Sequence, residues 1–385
     1  MRIIQVTRRL NMKNNIKVRQ KQASAKTVLF FICYTVLVFH SMLKTVNFLG
    51  PIIFGRFTYH LALLLLGFLS LASVSKLQKG KIALFFFVTL FITIACIIAK
   101  DLFLAVIWLT ILAAKSLNIN KLIKYDILIK SIGLIIVFLS FILGITSTET
   151  LLIRDGTVRQ TLGFGNPNEL SSHILSIYID YLFLNRNNDK LAIKTALAII
   201  LSLFIYFVAG SRTQIIGIII ALVLLTKKKQ KEKALSRVKI LMTSCLFAVL
   251  TGISFFATVT YVATPNRLEW LNELLSGRLW LAARAYKTYG IGFVGNVRVT
   301  KDMLDYPIDN AYMYFLVIYG IIPLIALGIF IGKYAKYLLE TKNSEILLAL
   351  TIYMLLGMSE TELFRPIYNT YFIPSSNMLL NEKGN

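Results

Sequence analysis

Three cysteines, three histidines and seven prolines in 385 residues exclude several kinds of chemistry at the outset. Cys33, Cys96 and Cys245 all fall within apolar runs and form no CxxC pair, which argues against a disulfide framework or a thiolate metal knot. His40, His60 and His173 are not spaced as metal ligands, so no metal site is expected. Charge is scarce as well. Only 16% of residues are Asp, Glu, Lys or Arg, where a soluble domain carries about a quarter. The scarcity is one-sided, with 18 acidic residues against 42 basic ones.

What fills the chain instead is apolar: 57% of residues are hydrophobic, in long runs along the whole length. A run of about 20 apolar residues crosses a bilayer as a helix. Within lipid the backbone must bond inside its own segment, so the runs are helices and not strands. The expected fold is all-α, a polytopic membrane helix bundle of about eleven spans. They lie near 27–46, 57–75, 82–99, 102–116, 127–146, 169–184, 191–209, 211–226, 239–263, 310–332 and 345–361. A basic arm, 1–26, precedes the main body at 27–365, and the tail at 366–385 holds a partial twelfth span near 366–380. No internal repeat divides the spans into matching halves.

Lysine placement orients the bundle. The arm, Lys76/Lys79/Lys81, Lys115/Lys121/Lys124, the 227–233 loop and Lys333/Lys336/Lys342 all fall on one side when spans are counted from a cytoplasmic N-terminus. The net charge of +24 therefore reads as topology beside anionic lipid and not as a nucleic-acid surface. The first apolar run is followed by Phe48-Leu49-Gly50-Pro51 and no small-residue cleavage site, so it reads as an uncleaved span.

Arginine breaks this pattern. The inner loops hold 21 Lys and 6 Arg, whereas the outer side holds 9 Arg and 5 Lys. The guanidinium fork binds phosphate or carboxylate bidentately, which an ammonium does not. An outward site for an anionic, phosphate-bearing ligand follows. Two outer segments are long enough to build it.

The first, 147–168, carries Arg154 and Arg159 and ends in Gly165-Asn166-Pro167-Asn168, where Asn168 is placed to cap the sixth span. The second, 264–309, has apolar residues at helical spacing from Leu268 to Ala282. The expectation there is one helix over 267–289 on the outer leaflet, with Arg267 and Arg278 on one face and Arg284 about 120° away. Gly290-Ile291-Gly292-Phe293-Val294-Gly295 matches G-x-G-x-x-G but follows no strand, and reads first as a turn whose N–H groups are available to a phosphate. Asp309-Asn310 opens the tenth span. Arg212 sits in the tight Gly210-Ser211-Arg212 turn. Glu360 and Arg365 lie near the outer end of the eleventh span, where an ionisable group is expensive and a functional role is the default.

These residues resemble the O-antigen ligase and polysaccharide polymerase superfamily, the Wzy-type polymerases included. The resemblance rests on Arg159-x-x-x-Gly163-x-Gly165-Asn166-Pro167-Asn168-Glu169-Leu170, Gly210-Ser211-Arg212-Thr213, Ser276-Gly277-Arg278 and Asn310-Ala311-Tyr312 with Gly320 beyond, in that order. Arg154 and Gly165, like Arg284 and Gly295, have ten residues between them, an arginine–glycine spacing that such polymerases show in two outer loops. Asp309 stands where ligases of the superfamily often carry histidine, which leans toward a polymerase.

The resemblance implies a cofactor-free, metal-independent glycosyl transfer at the outer face of a bacterial cytoplasmic membrane. The donor would be a glycan on undecaprenyl diphosphate, and the acceptor a hydroxyl of a lipid-linked repeat unit. Arg159, Arg278 and Arg212 would stabilise the leaving diphosphate, with Asp309 as base. Arg154, Arg284, Asn168, Asn310 and Glu360 would bind substrate. Partners would be the lipid-linked oligosaccharide, membrane lipids and a chain-length regulator, with no nucleic acid. The alternatives are a ligase moving finished glycan to a lipid or protein acceptor, and a non-enzymatic flippase for the same lipid. Arginines gathered in outer loops, and not along a central cavity, favour the enzyme.

Overall fold

The computed structural model describes residues 25–47, 49–75, 77–146, 151–152, 158–188, 190–226, 237–297, 299 and 307–380. In chain order the helices are α1 (Ala25–Met42), α2 (Arg56–Val74), α3 (Lys79–Ala99), α4 (Phe103–Ala113), α5 (Ile119–Ile142), α6 (Pro167–Leu184), α7 (Leu191–Phe204) and α8 (Arg212–Thr226). There follow α9 (Arg237–Ala263), α10 (Pro265–Leu274), α11 (Arg278–Tyr289), α12 (Ala311–Ile318), α13 (Ile321–Glu340), α14 (Ser344–Leu356) and α15 (Ser375–Leu380). The β-structure among the described residues is slight: Leu151–Leu152 paired antiparallel with Val158–Arg159, and one isolated bridge between Val46 and Thr146.

Among the described residues, seven helical segments are long and apolar enough to cross a membrane. They are α1, α2 with its preceding π-helical turn, α3, α5, α7 with its following π-helical turn, Cys245–Ala263 of α9, and α13. The fourth, eighth and eleventh expected spans form shorter apolar helices of 11, 15 and 13 residues. The sixth, α6, has 14 of its 18 residues buried, packed between α5 and α8. Its enclosure explains how it carries Glu169, His173, Ser176 and Asp180 among apolar neighbours.

Three expectations about helices are corrected. The expected span at 310–332 breaks at Gly320, where φ is +90°. Gly320 seats against the 292–293 backbone, and Ile321 and Ile322 donate their N–H groups to the carbonyls of Gly292 and Phe293. A Cβ at Gly320 would meet the Gly292 carbonyl oxygen at 2.5 Å. Gly320→Ala is expected to cost about 2 kcal/mol or more, from backbone strain and the clash together, read as a lowered unfolding midpoint in detergent. The single helix expected over 267–289 is two, because Ser276 and Gly277 both adopt left-handed conformations. That turn removes the shared face expected for Arg267 and Arg278. The partial span near 366–380 is instead a 3-10 turn at Thr370–Phe372 and the six-residue α15, both largely buried.

Polar groups explain why the last segment folds inward. Within the bundle, α5 and α6 bury Asp126, Lys130 and Asp180 completely. Lys130 pairs with Asp126 and donates to Ser176 Oγ. Tyr34 donates to Asp126 at 2.8 Å, and Tyr371, from the chain's last segment, donates to Asp180 at 2.8 Å. Ser176 and Tyr353 both donate to the Tyr368 carbonyl, at 2.8 and 2.7 Å. Buried charges persist only when paired and hydrogen-bonded, and the 366–373 segment supplies part of that satisfaction.

Charged side chains gather at both ends of the helices. At one end Lys26 donates to the Ala72 carbonyl, Lys115 approaches the Ser73 carbonyl, and Arg186 pairs with Glu345. At the other end lie Lys44, Arg159 and Arg278, together with Asp309 and Glu360.

Candidate functional site

The arginine end carries one continuous hydrogen-bonded network built from five distant stretches of sequence. It begins at Arg159, in the second short strand. Its Nε donates to the Ala209 carbonyl, and its Nη2 donates to Asn168 Oδ1 at 3.0 Å and to Ser211 Oγ at 2.9 Å. The turn at 209–211 is shaped for this side chain. Gly210 is left-handed, with φ +60°, and a Cβ there would lie 3.1 Å from Arg159 Nε. Ser211 in turn donates to Asn168 Oδ1 at 2.7 Å, so that oxygen accepts from both.

The network continues one helical turn further along both α6 and α8. Ser172 Oγ donates to the Asn168 carbonyl at 2.8 Å. Gln214 donates to Ser172 Oγ and to Glu360 Oε1, each at 3.1 Å. Glu360 lies just beyond α14 and is 5% exposed. Its Oε1 also accepts from Arg278 Nη2 at 2.6 Å. Arg278 Nη1 donates to Thr213 at 3.2 Å, and Nε lies 3.4 Å from Asp309 Oδ2 without making a hydrogen bond.

Position accounts for this concentration of charge. Arg278 is the first residue of α11, the positive end of that helix's dipole. A cation there, nearly buried, requires anions, and the two carboxylates supply them. The Asn272 side chain accepts from the Trp280 N–H at 2.9 Å, which holds the start of α11 against α10. Burial raises the Asp309 carboxyl above its ordinary range, while neighbouring Arg278 pulls the other way.

The expected site residues divide clearly. Arg159, Asn168, Arg278, Asp309 and Glu360 come together. Arg212 does not: it is exposed and makes no hydrogen bond or ion pair among the described residues, while Ser211, Thr213 and Gln214 beside it face the network. Arg284 is exposed and stacks on the Trp280 ring at 5.3 Å. Arg154 lies outside the described residues. Asn310 is committed to structure. Its Oδ1 caps α12 through the Met313 N–H at 2.9 Å, and its amide donates to Ser254 Oγ and the Met358 carbonyl. The cap expected of Asn168 is made by Asn166, with Pro167 opening the helix.

The glycine-rich stretch at 290–295 bonds the Gly320 break through the Gly292 and Phe293 carbonyls and the Gly295 N–H. The Gly295 N–H donates to the Tyr319 carbonyl at 2.6 Å. His173 is fully buried between the Phe164 and Tyr368 rings, as a packed side chain. Sequence reasoning missed Gln214, Ser172 and Thr213 as members of the site. A lone amide near the start of an apolar helix was the available signal for Gln214.

The fold and these buried charges define a multi-pass helical membrane protein. Neither the protein-family models, nor the curated proteins, nor the solved structures contain a match to this chain.

Proposed function

We propose that the chain is a membrane polysaccharide polymerase that joins undecaprenyl-diphosphate-linked repeat units at the outer face of a bacterial cytoplasmic membrane. The observation that carries this reading is the convergence of Arg159 and Arg278, 119 positions apart in the sequence, on one hydrogen-bonded network that also holds two carboxylates. In the reaction the acceptor hydroxyl attacks the anomeric carbon of the donor, and the carbon–oxygen bond to the diphosphate breaks. The diphosphate leaves with added negative charge. Fixed donors aimed at developing charge are the strongest device available for that step.

The two carboxylates around Arg278 differ in a way that fits two roles. Glu360 is buried and tightly bonded through Nη2, so it orients the guanidinium. The Asp309 side chain is 27% exposed and sits at 3.4 Å from an Nε that makes no hydrogen bond. A diphosphate oxygen arriving at Nε would displace Asp309, freeing its carboxylate to take the proton of the acceptor hydroxyl.

This assignment has a pH signature, testable with purified protein and a lipid-linked repeat unit. Asp309 must be ionised to act as base, and burial raises its pKa. Activity is therefore expected to fall on the acid side at a pH above the ordinary carboxylate range, about 4. Arg278 opposes that rise, so removing it would move the acid limb of any residual activity higher still. Asp309→Asn should abolish the limb along with most of the rate. An unchanged acid limb in Asp309→Asn would remove Asp309 as base. Absence of polymer from the wild-type protein, with unit moved onto an added acceptor lipid instead, would favour the ligase.

A further inference from the structure

A second cluster of cations lies at the same end of the bundle, outside the Arg159–Arg278 network. The ends of α1, α2, α3, α4 and α12 enclose a cavity of about 640 Å³. Its lining carries Lys44, Arg56, Lys100 and Arg365, with His40 and His60, against a single carboxylate, Asp101. That carboxylate is already engaged, by the Tyr314 hydroxyl and the Phe103 N–H. Lys44 pairs with Glu169 at 3.0 Å but keeps about half its surface exposed. Arg56 and Lys100 are exposed and make no ion pair among the described residues. Arg365 lies over the Phe103 ring. Arg56 and Lys100 thus add positive charge to a cavity already lined by two further cations, a field that favours an anion.

The cavity continues into an apolar groove. His60 and Leu102 line both spaces. From there the groove, also about 640 Å³, runs between α2, α3 and α4 past Leu64, Gly67, Phe68, Phe86 and Leu90 to Val74. From His60 to Val74 is roughly 21 Å at the ~1.5 Å rise of a helix. That exceeds one leaflet of a hydrocarbon core about 30 Å thick. A basic chamber joined to an apolar trough longer than a leaflet matches an amphiphile with a phosphate head and a long hydrocarbon chain.

We propose that this chamber and groove form a second binding site, for the phosphate headgroup and chain of a long-chain lipid phosphate. As a binding site it stands on its own geometry. As the seat of the second lipid-linked reactant it rests on the polymerase reading. The placement is suitable, because Lys44 in the chamber wall bonds Glu169, the residue next to Asn168 in the Arg159 network.

The test uses the full chain in phosphatidylcholine nanodiscs with an Arg278→Ala, Glu360→Gln background, so that failure of the polymerase centre and failure of this site are separable. Native mass spectrometry would follow retention of undecaprenyl phosphate, with phosphatidylglycerol and inorganic diphosphate as the other probes. Arg56→Gln with Lys100→Asn is expected to weaken undecaprenyl phosphate binding about tenfold or more, corresponding to ~1.4 kcal/mol. Asparagine suits position 100, where φ is 51°. Gly67→Leu puts a side chain into the groove at a position where nothing lies within 4 Å of a Cβ. It should weaken undecaprenyl phosphate binding and leave diphosphate binding unchanged. Wild-type retention in the double variant would overturn the site. So would equal retention of phosphatidylglycerol, which would make it ordinary boundary lipid, or indifference of the long-chain lipid to Gly67→Leu.

Discussion

Arg278→Ala is expected to lower chain formation at least about a hundredfold, the loss typical when one donor to a developing oxyanion is removed. In the native host the product would be single lipid-linked units accumulating outside the membrane. Arg278 is singular because its fork reaches Glu360, Thr213 and Asp309 at once. Arg278→Lys should recover little, since one ammonium does not reproduce three donors set in a plane. The alanine variant also leaves Glu360 without its cation, and stranding one member of a buried pair costs about 3–5 kcal/mol. Glu360→Gln in the same chain relieves that cost. The double variant should therefore regain thermal stability while staying inactive. Wild-type chain lengths in Arg278→Ala would end the mechanism, and units trapped on the cytoplasmic side would point to a flippase.

Lys130→Met is expected to be the most destabilising single change in the interior. Lys130 and Asp126 are fully buried one helical turn apart on α5. Removing the lysine leaves a carboxylate in the apolar core, an expected loss of about 3–5 kcal/mol. Adding Asp126→Asn removes the stranded charge, and most of the loss should return. Thermal unfolding in detergent reads both variants. Equal midpoints for wild type and Lys130→Met would show that the pair contributes nothing to the fold.

Much of the site was legible because its residues were costly where they stood. Arg159 and Arg278 fell on the expected outer side, against the lysine bias, and Glu360 fell near the end of an expected span. Each drew attention for a reason independent of structure. Arg212 met the same criterion but lies outside the network. At the start of α8 a step of one residue turns the side chain by about 100°, so Ser211, Thr213 and Gln214 face inward while Arg212 faces out. The chamber of Lys44, Arg56, Lys100 and Arg365 was not legible, because three separate connections between helices supply it and none carries a motif. Helix existence followed from apolar runs, but the breaks at Ser276–Gly277 and Gly320 did not, because the apolar pattern continues through both. Their conformations are set by tertiary seating, such as Gly320 against the 292–293 backbone.

The enclosure of α6 has a consequence for how the chain enters the membrane. An aspartate within a lone helix raises the cost of insertion, by up to about 2.5–3.5 kcal/mol at the centre, and α6 carries Asp180 in its last turns with Glu169 and His173 besides. During synthesis this segment emerges before α8 and long before Tyr371, which bonds Asp180. Its stay in lipid is therefore provisional, secured first where Lys130 of the preceding α5 meets Ser176 and completed only when the 366–373 segment arrives. Biogenesis of this protein is thus a delayed closure, in which that segment seals the polar seam of a helix made long before it.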